Sequence, residues 1–374
     1  MNHHSVRSTN IVDMILMIGF QDITLWIHQL LSNALSPGLV FTSEVLLVGL
    51  TMILLVVLMA VAMIYMERKV AGFMQLRLGP MRVGIWGTMQ AFADVLKLLL
   101  KECLTPNGAD KLLFSLAPFI VLTVSFLALA PFSFAPGLQL WDMNIGVLYV
   151  SAVSSIGVIG ILMAGWSSNN KYSLLGAMRS GAQIVSYELS AGLSIIAIII
   201  MCGSLSIHDI ILSQADGWWI FKGHLPAMFA FVVFVIASTA ELNRAPFDLA
   251  EAEQELTAGF HTEYSGMQFA MFFLAEYTNM FIVSMIGATV FLGGWQPFHV
   301  YGFEAFNHVM DYIPSFLWFF GKTFFILFLI MWFRWTFPRM RIDQLLKLEW
   351  KYLLPLSIIN IVIAAFITIM GWHF

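Results

Sequence analysis

The sequence predicts an all-α polytopic membrane protein of about eight tilted transmembrane helices with additional interfacial amphipathic helices. Three observations predict it. Of 374 residues, 60% are apolar and 11% charged, with a mean hydropathy of +0.85. Soluble domains carry about 25% charged residues, so a water-soluble fold of this size lacks the polar surface to cover itself. Apolar stretches of about 20 residues recur, the length that crosses ~30 Å of hydrocarbon as a helix. Finally, Lys and Arg sort between alternate loops. Composition therefore excludes a soluble enzyme, a nucleic-acid binder and a disordered protein. A net charge of −4 points to neither a polyanionic nor a polycationic partner.

The first 40 residues form an extension read as an interfacial amphipathic helix, with a ninth span as the alternative. Ile11 to Leu35 is apolar but broken by Asp13, Gln21, Asp22, His28 and Gln29, and Ser36-Pro37-Gly38 ends it. It lacks the basic n-region of a secretory signal. Residues 41–374 read as a single transmembrane domain with spans at 45–65, 115–135, 146–165, 184–203, 225–242, 267–292, 316–336 and 353–372. Loops 66–114, 166–183, 241–266 and 337–352, with Arg334 just before the last, hold 15 of the 18 Lys and Arg residues. That bias assigns those loops to the cytoplasmic side, or its organellar equivalent, and both termini to the outer side. Within the first loop, Thr88 to Glu102 is amphipathic. Met89, Phe92, Leu96, Leu99 and Leu100 share one face, while Asp94, Lys97 and Lys101 recur on another, the pattern of a helix lying in the membrane plane.

Cys103 and Cys202 stand alone, without a CxxC motif, so the chain holds no thiolate set for an iron–sulfur cluster or a structural zinc. No nucleotide-binding glycine motif is present. Gly157 and Gly160 lie in an apolar helix and read as helix packing. The expectation is a chain with no metal and no redox centre of its own.

Charges inside apolar spans are costly and mark function by default. Glu276 lies about ten residues into the sixth span, with Asn279 one turn on. Glu188 opens the fourth, and Glu241 ends the fifth with Arg244 three residues on. A proton relay through these acids is one reading; a bond to Asn279, interfacial solvation and a local ion pair with Arg244 are the others. The 241–266 loop carries Glu241, Asp248, Glu251, Glu253, Glu255 and Glu263 against Arg244 alone. As a helix opened by Pro246, it would put Asp248, Glu251 and Glu255 on one face. Such acids are a solvated loop, a funnel for protons or a dock for a basic partner. In the 66–114 loop, Arg68, Arg77 and Arg82 among Phe, Met and Leu suit a lipid-soluble ligand with a polar head. The same charges also suit membrane anchoring.

Four blocks carry a resemblance: MERKVAGFMQLRLGPMRVG, QAFADVLKLLLKE, GWSSNNKYSLLGAMRSGAQIVSYE and AELNRAPFDLAEAEQELTAGFHTEYSG. In that order they resemble the family of the H subunit (also called subunit 1) of proton-translocating NADH–quinone oxidoreductase, respiratory complex I, over about residues 44–372. The resemblance implies an all-helical membrane subunit that forms the quinone chamber with the peripheral arm, and couples reduction of ubiquinone or menaquinone to proton translocation. It implies FMN and iron–sulfur clusters in partner subunits, and contacts with adjacent membrane subunits and lipid. It matches the buried acids Glu188, Glu241 and Glu276 and the loop glutamates Glu251, Glu253 and Glu255, and Asp248 joins this proton relay from its place in the acidic loop. It matches the quinone-entry region to Glu67, Arg68, Arg77 and the helix around Asp94, with Gln75 and Arg82 of the same loop read as part of the quinone site, and turns Trp166 to Tyr172 toward the peripheral arm. One position departs from the family: Gly79-Pro80-Met81 stands where Gly-Pro-Asn is usual. The bacterial plasma membrane is the expected location, with an organellar inner membrane as the alternative. The competing assignments are the homologous subunit of a membrane-bound hydrogenase and a stand-alone ion-coupled transporter.

Overall fold

The computed structural model describes residues 24–33, 35–249, 253–299 and 303–372. The expected extension is therefore described only from residue 24 on, and Glu251 and the Glu253 side chain lie outside the described residues. Helix accounts for nearly all of the regular structure, as it must where lipid offers backbone groups no partner.

Helix α1 covers 24–33. The Ser36-Pro37 break separates it from α2, Pro37–Met74, which starts with proline in its first turn. His28 Nδ1 lies 2.6 Å from Glu44 Oε1 and ties the two helices together. A glycine-rich loop leads to α3, Gln90–Leu100, the expected amphipathic helix. Asp110 caps α4, Lys111–Leu127, by accepting from the Leu112 and Leu113 amides. The sequence predicts a span to 135. The helix stops at Leu127 instead, and residues 133–139 form a hairpin of β1, Ser133–Ala135, and β2, Leu138–Gln139. Pro131 lacks the donor needed to carry the helix on. At 17 residues α4 is at the short end of what spans a bilayer.

Helix α5, Gly146–Ser167, turns in three residues into α6, Lys171–Cys202, capped by Asn170 through the Tyr172 amide. The 166–183 segment, expected as a loop, is thus mostly helix. Gly203, at φ +78°, ends α6. Short helices α7, Ile207–Leu212, and α8, Trp219–Lys222, lead to α9, His224–Glu241. A four-residue α10, Glu253–Leu256, precedes α11, Gly266–Val290. Then follow α12, Glu304–Met310, and α13, Ser315–Thr336. Helix α14, Ile342–Leu348, runs through a π turn, Glu349–Leu353, into α15, Leu354–Ile369. Among the described residues seven helices, counting α14–α15 as one, are long and apolar enough to cross a membrane, and α4 is the shorter eighth.

Helix α6 is the centre, packed against α5, α9 and α15, and α11 packs on α4 and α13. Gly160 lets α5 approach α4 closely: a Cβ there would lie 2.4 Å from Val121 Cγ2. Gly157 packs more loosely, with Val124 at 3.8 Å. About half of the apolar windows of α6, α9 and α11 is buried, against 11% for α2. Helix α2, about 57 Å long at ~1.5 Å per residue, therefore lies at the rim.

Candidate functional site

The buried charges gather where four helices meet. Glu67 ends the apolar part of α2 and is 7% exposed; Arg244 follows α9 and is 6% exposed. Arg334 lies in the last turn of α13, and Glu276 and Tyr277 lie in the amino-terminal half of α11. Three helices thus end where the fourth begins, as alternating spans require. Arg244 Nη1 is 3.3 Å from Glu67 Oε1, and Arg244 Nε is 2.7 Å from Glu276 Oε1. Arg334 Nη1 also donates to Glu67 Oε1, and the Tyr277 hydroxyl donates to Glu67 Oε2 at 2.8 Å. The Arg244 guanidinium lies 4.9 Å from the Tyr277 ring centroid. Two acids and two guanidiniums balance one another, which is what allows them to be buried.

Arg244 therefore serves Glu67 and Glu276 in its ion pairs, and Asn279 accepts from Ser125 at 2.8 Å. Glu276 faces a cavity of about 150 Å³ that Glu188 and Glu241 also line, together with Asn243, His261 and Asn279. A water needs about 10–15 Å³ of such space, so the cavity has room for several. The three acids from three spans share one chamber. The Ser155 hydroxyl donates to Glu188 Oε1. Among the described residues no Lys or Arg pairs with Glu188 or Glu241.

The acidic loop is not the helix expected from Pro246. Residues 244–249 form turns, with Phe247 and Leu249 buried and the Pro246 carbonyl accepting from the Met340 amide at 3.0 Å. These tertiary bonds and anchors take the backbone away from helical geometry, so Asp248 and Glu255 share no helix face. Arg339 donates to the Asp248 carbonyl. Glu255 is exposed and pairs with Arg179 at 2.8 Å. The hydrogen bond from Arg179 holds its carboxyl below the usual carboxylate value.

The residues expected at the quinone site surround the end of α2. Arg68 Nη1 is 2.6 Å from Asp94 Oδ2, which fixes α3 to α2. Arg77 Nε donates to Gln75 Oε1 at 2.6 Å, and Arg82 is exposed. A pocket here is lined by Tyr65, Lys69, Phe73, Arg77, Leu78 and Trp86, among others. Lys69 Nζ donates to the Pro80 carbonyl at 2.8 Å and lies 3.1 Å from Met81 Sδ, so lysine steadies the turn where the family usually has Asn. The turn is tight: at Gly87, φ +81°, a Cβ would lie 2.2 Å from the Pro80 carbonyl oxygen. Glu67 belongs to the charge cluster rather than to this pocket.

The family model for NADH dehydrogenase matches residues 47–365. The chain belongs to the NADH dehydrogenase family. It is 57% identical over 358 residues to a Bacteroides fragilis protein named as the H subunit of NADH-quinone oxidoreductase, covering 96% of this chain and 100% of that one. The Bacteroides thetaiotaomicron protein of the same name is 55% identical over the same shares. NADH-quinone oxidoreductase subunit 8 of Rhodothermus marinus is 46% identical over 325 residues, 85% of this chain and 95% of that one. With its apolar helices, this member of the NADH dehydrogenase family is a membrane protein.

Sequence reasoning passes over Arg334, Tyr277, His261 and Glu349. Arg334 looks like one more base of an inner loop, and Tyr277 and His261 like ordinary aromatic positions. No local signal separates Arg334, Tyr277 and Glu349, because their partners are distant in the chain, and His261 sits among the aromatic rings of Phe260, Phe269 and Phe273.

Proposed function

We propose that the chain is the membrane subunit of an NADH–quinone oxidoreductase that walls the quinone chamber and couples quinone reduction to proton translocation. The observation that carries this reading is the bridge Glu67–Arg244–Glu276. It joins the end of α2, beside the pocket of Tyr65, Lys69, Arg77 and Trp86, to the cavity of Glu188, Glu241 and Glu276. The apolar pocket with two cations at its edge suits a quinone, a lipid-soluble molecule with two carbonyl oxygens. FMN and the iron–sulfur clusters belong to partner subunits, which deliver the electrons. Peripheral-arm subunits cover the 66–114 and 241–266 loops, and adjacent membrane subunits and lipid cover α2 and α15. Helix α1 lies along the membrane interface.

Quinone reduction consumes two electrons and two protons. Taking up those protons beside α2 changes the field on Glu67, and Arg244 answers to both Glu67 and Glu276. A shift of Arg244 toward Glu67 leaves Glu276 less compensated, and a proton is drawn through the hydrated cavity by way of Glu241 and Glu188. Asp248, Glu251, Glu253 and Glu255 supply protons at the inner mouth. The expected setting is the bacterial plasma membrane with both termini outside. The relatives above are named for the quinone enzyme, not for a hydrogenase or a transporter.

The test is Glu276→Gln in the assembled complex. NADH-driven proton pumping and quinone reduction fall together. Wild-type rates for both would remove Glu276 from the relay.

A further inference from the structure

Glu349 is a second kind of buried acid. It is 0% exposed and opens the π turn between α14 and α15. The turn has a local cause: Pro355 has no N–H to give the Lys351 carbonyl, and its ring crowds that carbonyl, so the chain widens by one residue. The widened turn carries Glu349 against α6, where the Ser190 hydroxyl donates to Oε1. Oε2 is buried with no hydrogen-bond partner among the described residues, and no Lys or Arg pairs with the carboxyl there. Ser190 is two residues from Glu188, on a different face of α6, and does not line the cavity.

Among the described residues the surroundings offer no paired countercharge. From α6 the titratable group facing Glu349 is Tyr187, whose hydroxyl donates to the Leu345 carbonyl at 3.0 Å. The apolar cluster there takes Val233, Ala237 and Ala240 from α9, Phe247 and Leu249 from the acidic loop, and Leu345. On its own element Asp343, Lys347 and Lys351 are exposed. The segment is also tied to the acidic loop, by the Met340 amide to Pro246 and by Arg339 to the Asp248 carbonyl.

We propose that Glu349 is a proton-binding site outside the cavity, loaded and emptied as the acidic loop pulls on α14. The carboxylate takes one proton from inner-side water on Oε2, one O–H bond forming as the donor's O–H bond breaks, and gives it up to water when α14 moves; no other bond changes. While α14 is docked, the acid is sealed beneath Leu345 and held by Ser190. When the loop draws α14 away, the carboxyl meets water and releases the proton. The inference rests on the coupling function proposed above for the acidic loop.

The experiment is infrared difference spectroscopy of the assembled complex, oxidised minus NADH-reduced, in H₂O and D₂O, with pumping measured in vesicles. A deuterium-sensitive carboxylic C=O band disappears in Glu349→Gln and moves in frequency in Ser190→Ala. Protons pumped per quinone reduced fall in Glu349→Gln and recover in part in Glu349→Asp. If the Glu349→Gln complex fails to assemble, the Ser190→Ala band shift decides. Unchanged bands in both variants, or wild-type pumping in Glu349→Gln, overturn the proposal. Glu276→Gln is measured in parallel: wild-type pumping there defeats the coupling reading itself, whereas a loss there with no effect at Glu349 defeats only the lateral site.

Discussion

The two ends of the carboxylate row are built in opposite ways. Glu67 and Glu276 share Arg244, with Arg334 and Tyr277 completing the cluster. Glu188 and Glu241 line the same cavity with no base paired to them among the described residues. A balanced cluster holds a geometry, because removing any member strands a charge. An uncompensated acid in an apolar wall holds little geometry, and its value is in exchanging a proton. The difference suggests which positions tolerate neutral replacement structurally and which do not.

The strongest way to break this comparison is Arg244→Leu. It leaves Glu67 short of one counter-charge and Glu276 without its paired guanidinium, at a cost of about 3–5 kcal/mol. The expected outcome is a large fall in the yield and melting temperature of the complex; an assembled variant with wild-type stability would mean the cluster is not a structural lock. Next comes Glu241→Gln, which keeps the shape of the side chain. Pumping and quinone reduction fall about tenfold or more, while the melting temperature stays near wild type because no ion pair is lost. Equal damage to stability would erase the distinction between the two ends.

Smaller effects sharpen the edges. Arg68→Ala removes the partly exposed pair with Asp94, for a stability change within about 0.2–1 kcal/mol. The apparent KM for a short-chain quinone rises as α3 loosens, measured at fixed NADH. The smallest effect belongs to Arg179 and Glu255. The folded-state value of Glu255 is lowered, so the pair's contribution is fully present above the ordinary carboxylate value and is lost as pH falls through the lowered one. A double-mutant cycle of Arg179→Gln and Glu255→Gln, read at neutral pH and at acid pH, gives weak coupling that vanishes in acid.

Much of the molecule is legible in the sequence where the signal is local. A charge inside an apolar run stands out, and that alone singles out Glu188, Glu241 and Glu276. Amphipathic spacing does the same for α3. The limits come from distance along the chain. Glu67 and Arg244 are 177 residues apart, and Glu67 and Arg334 are 267 apart, so nothing near either residue announces its partner. Only the resemblance gives Glu67 a role, at the quinone site, and Arg244 reads as a neighbour of Glu241. The acidic loop misleads for another reason. Its charge spacing fits a helix, but Phe247 and Leu249 are anchors whose burial outweighs that pattern. Glu349 is hidden in company, flanked by Lys347, Trp350 and Lys351 in a segment that reads as basic and solvated.

The slight burial of α2 has a practical side. Only 11% of its apolar window is covered by the rest of the chain, and its firm attachments, Glu67 and Arg68, lie toward one end. Such a helix is a mast stayed at its foot. Detergent micelles or missing neighbours set its tilt in an isolated preparation, and the tilt is delivered directly to Glu67. Purifying the subunit alone therefore risks studying a cluster whose geometry the solvent has chosen. Neighbours supplied in a nanodisc, or a staple between α1 and α2 near the His28–Glu44 contact, would restore the missing stays before any titration is read.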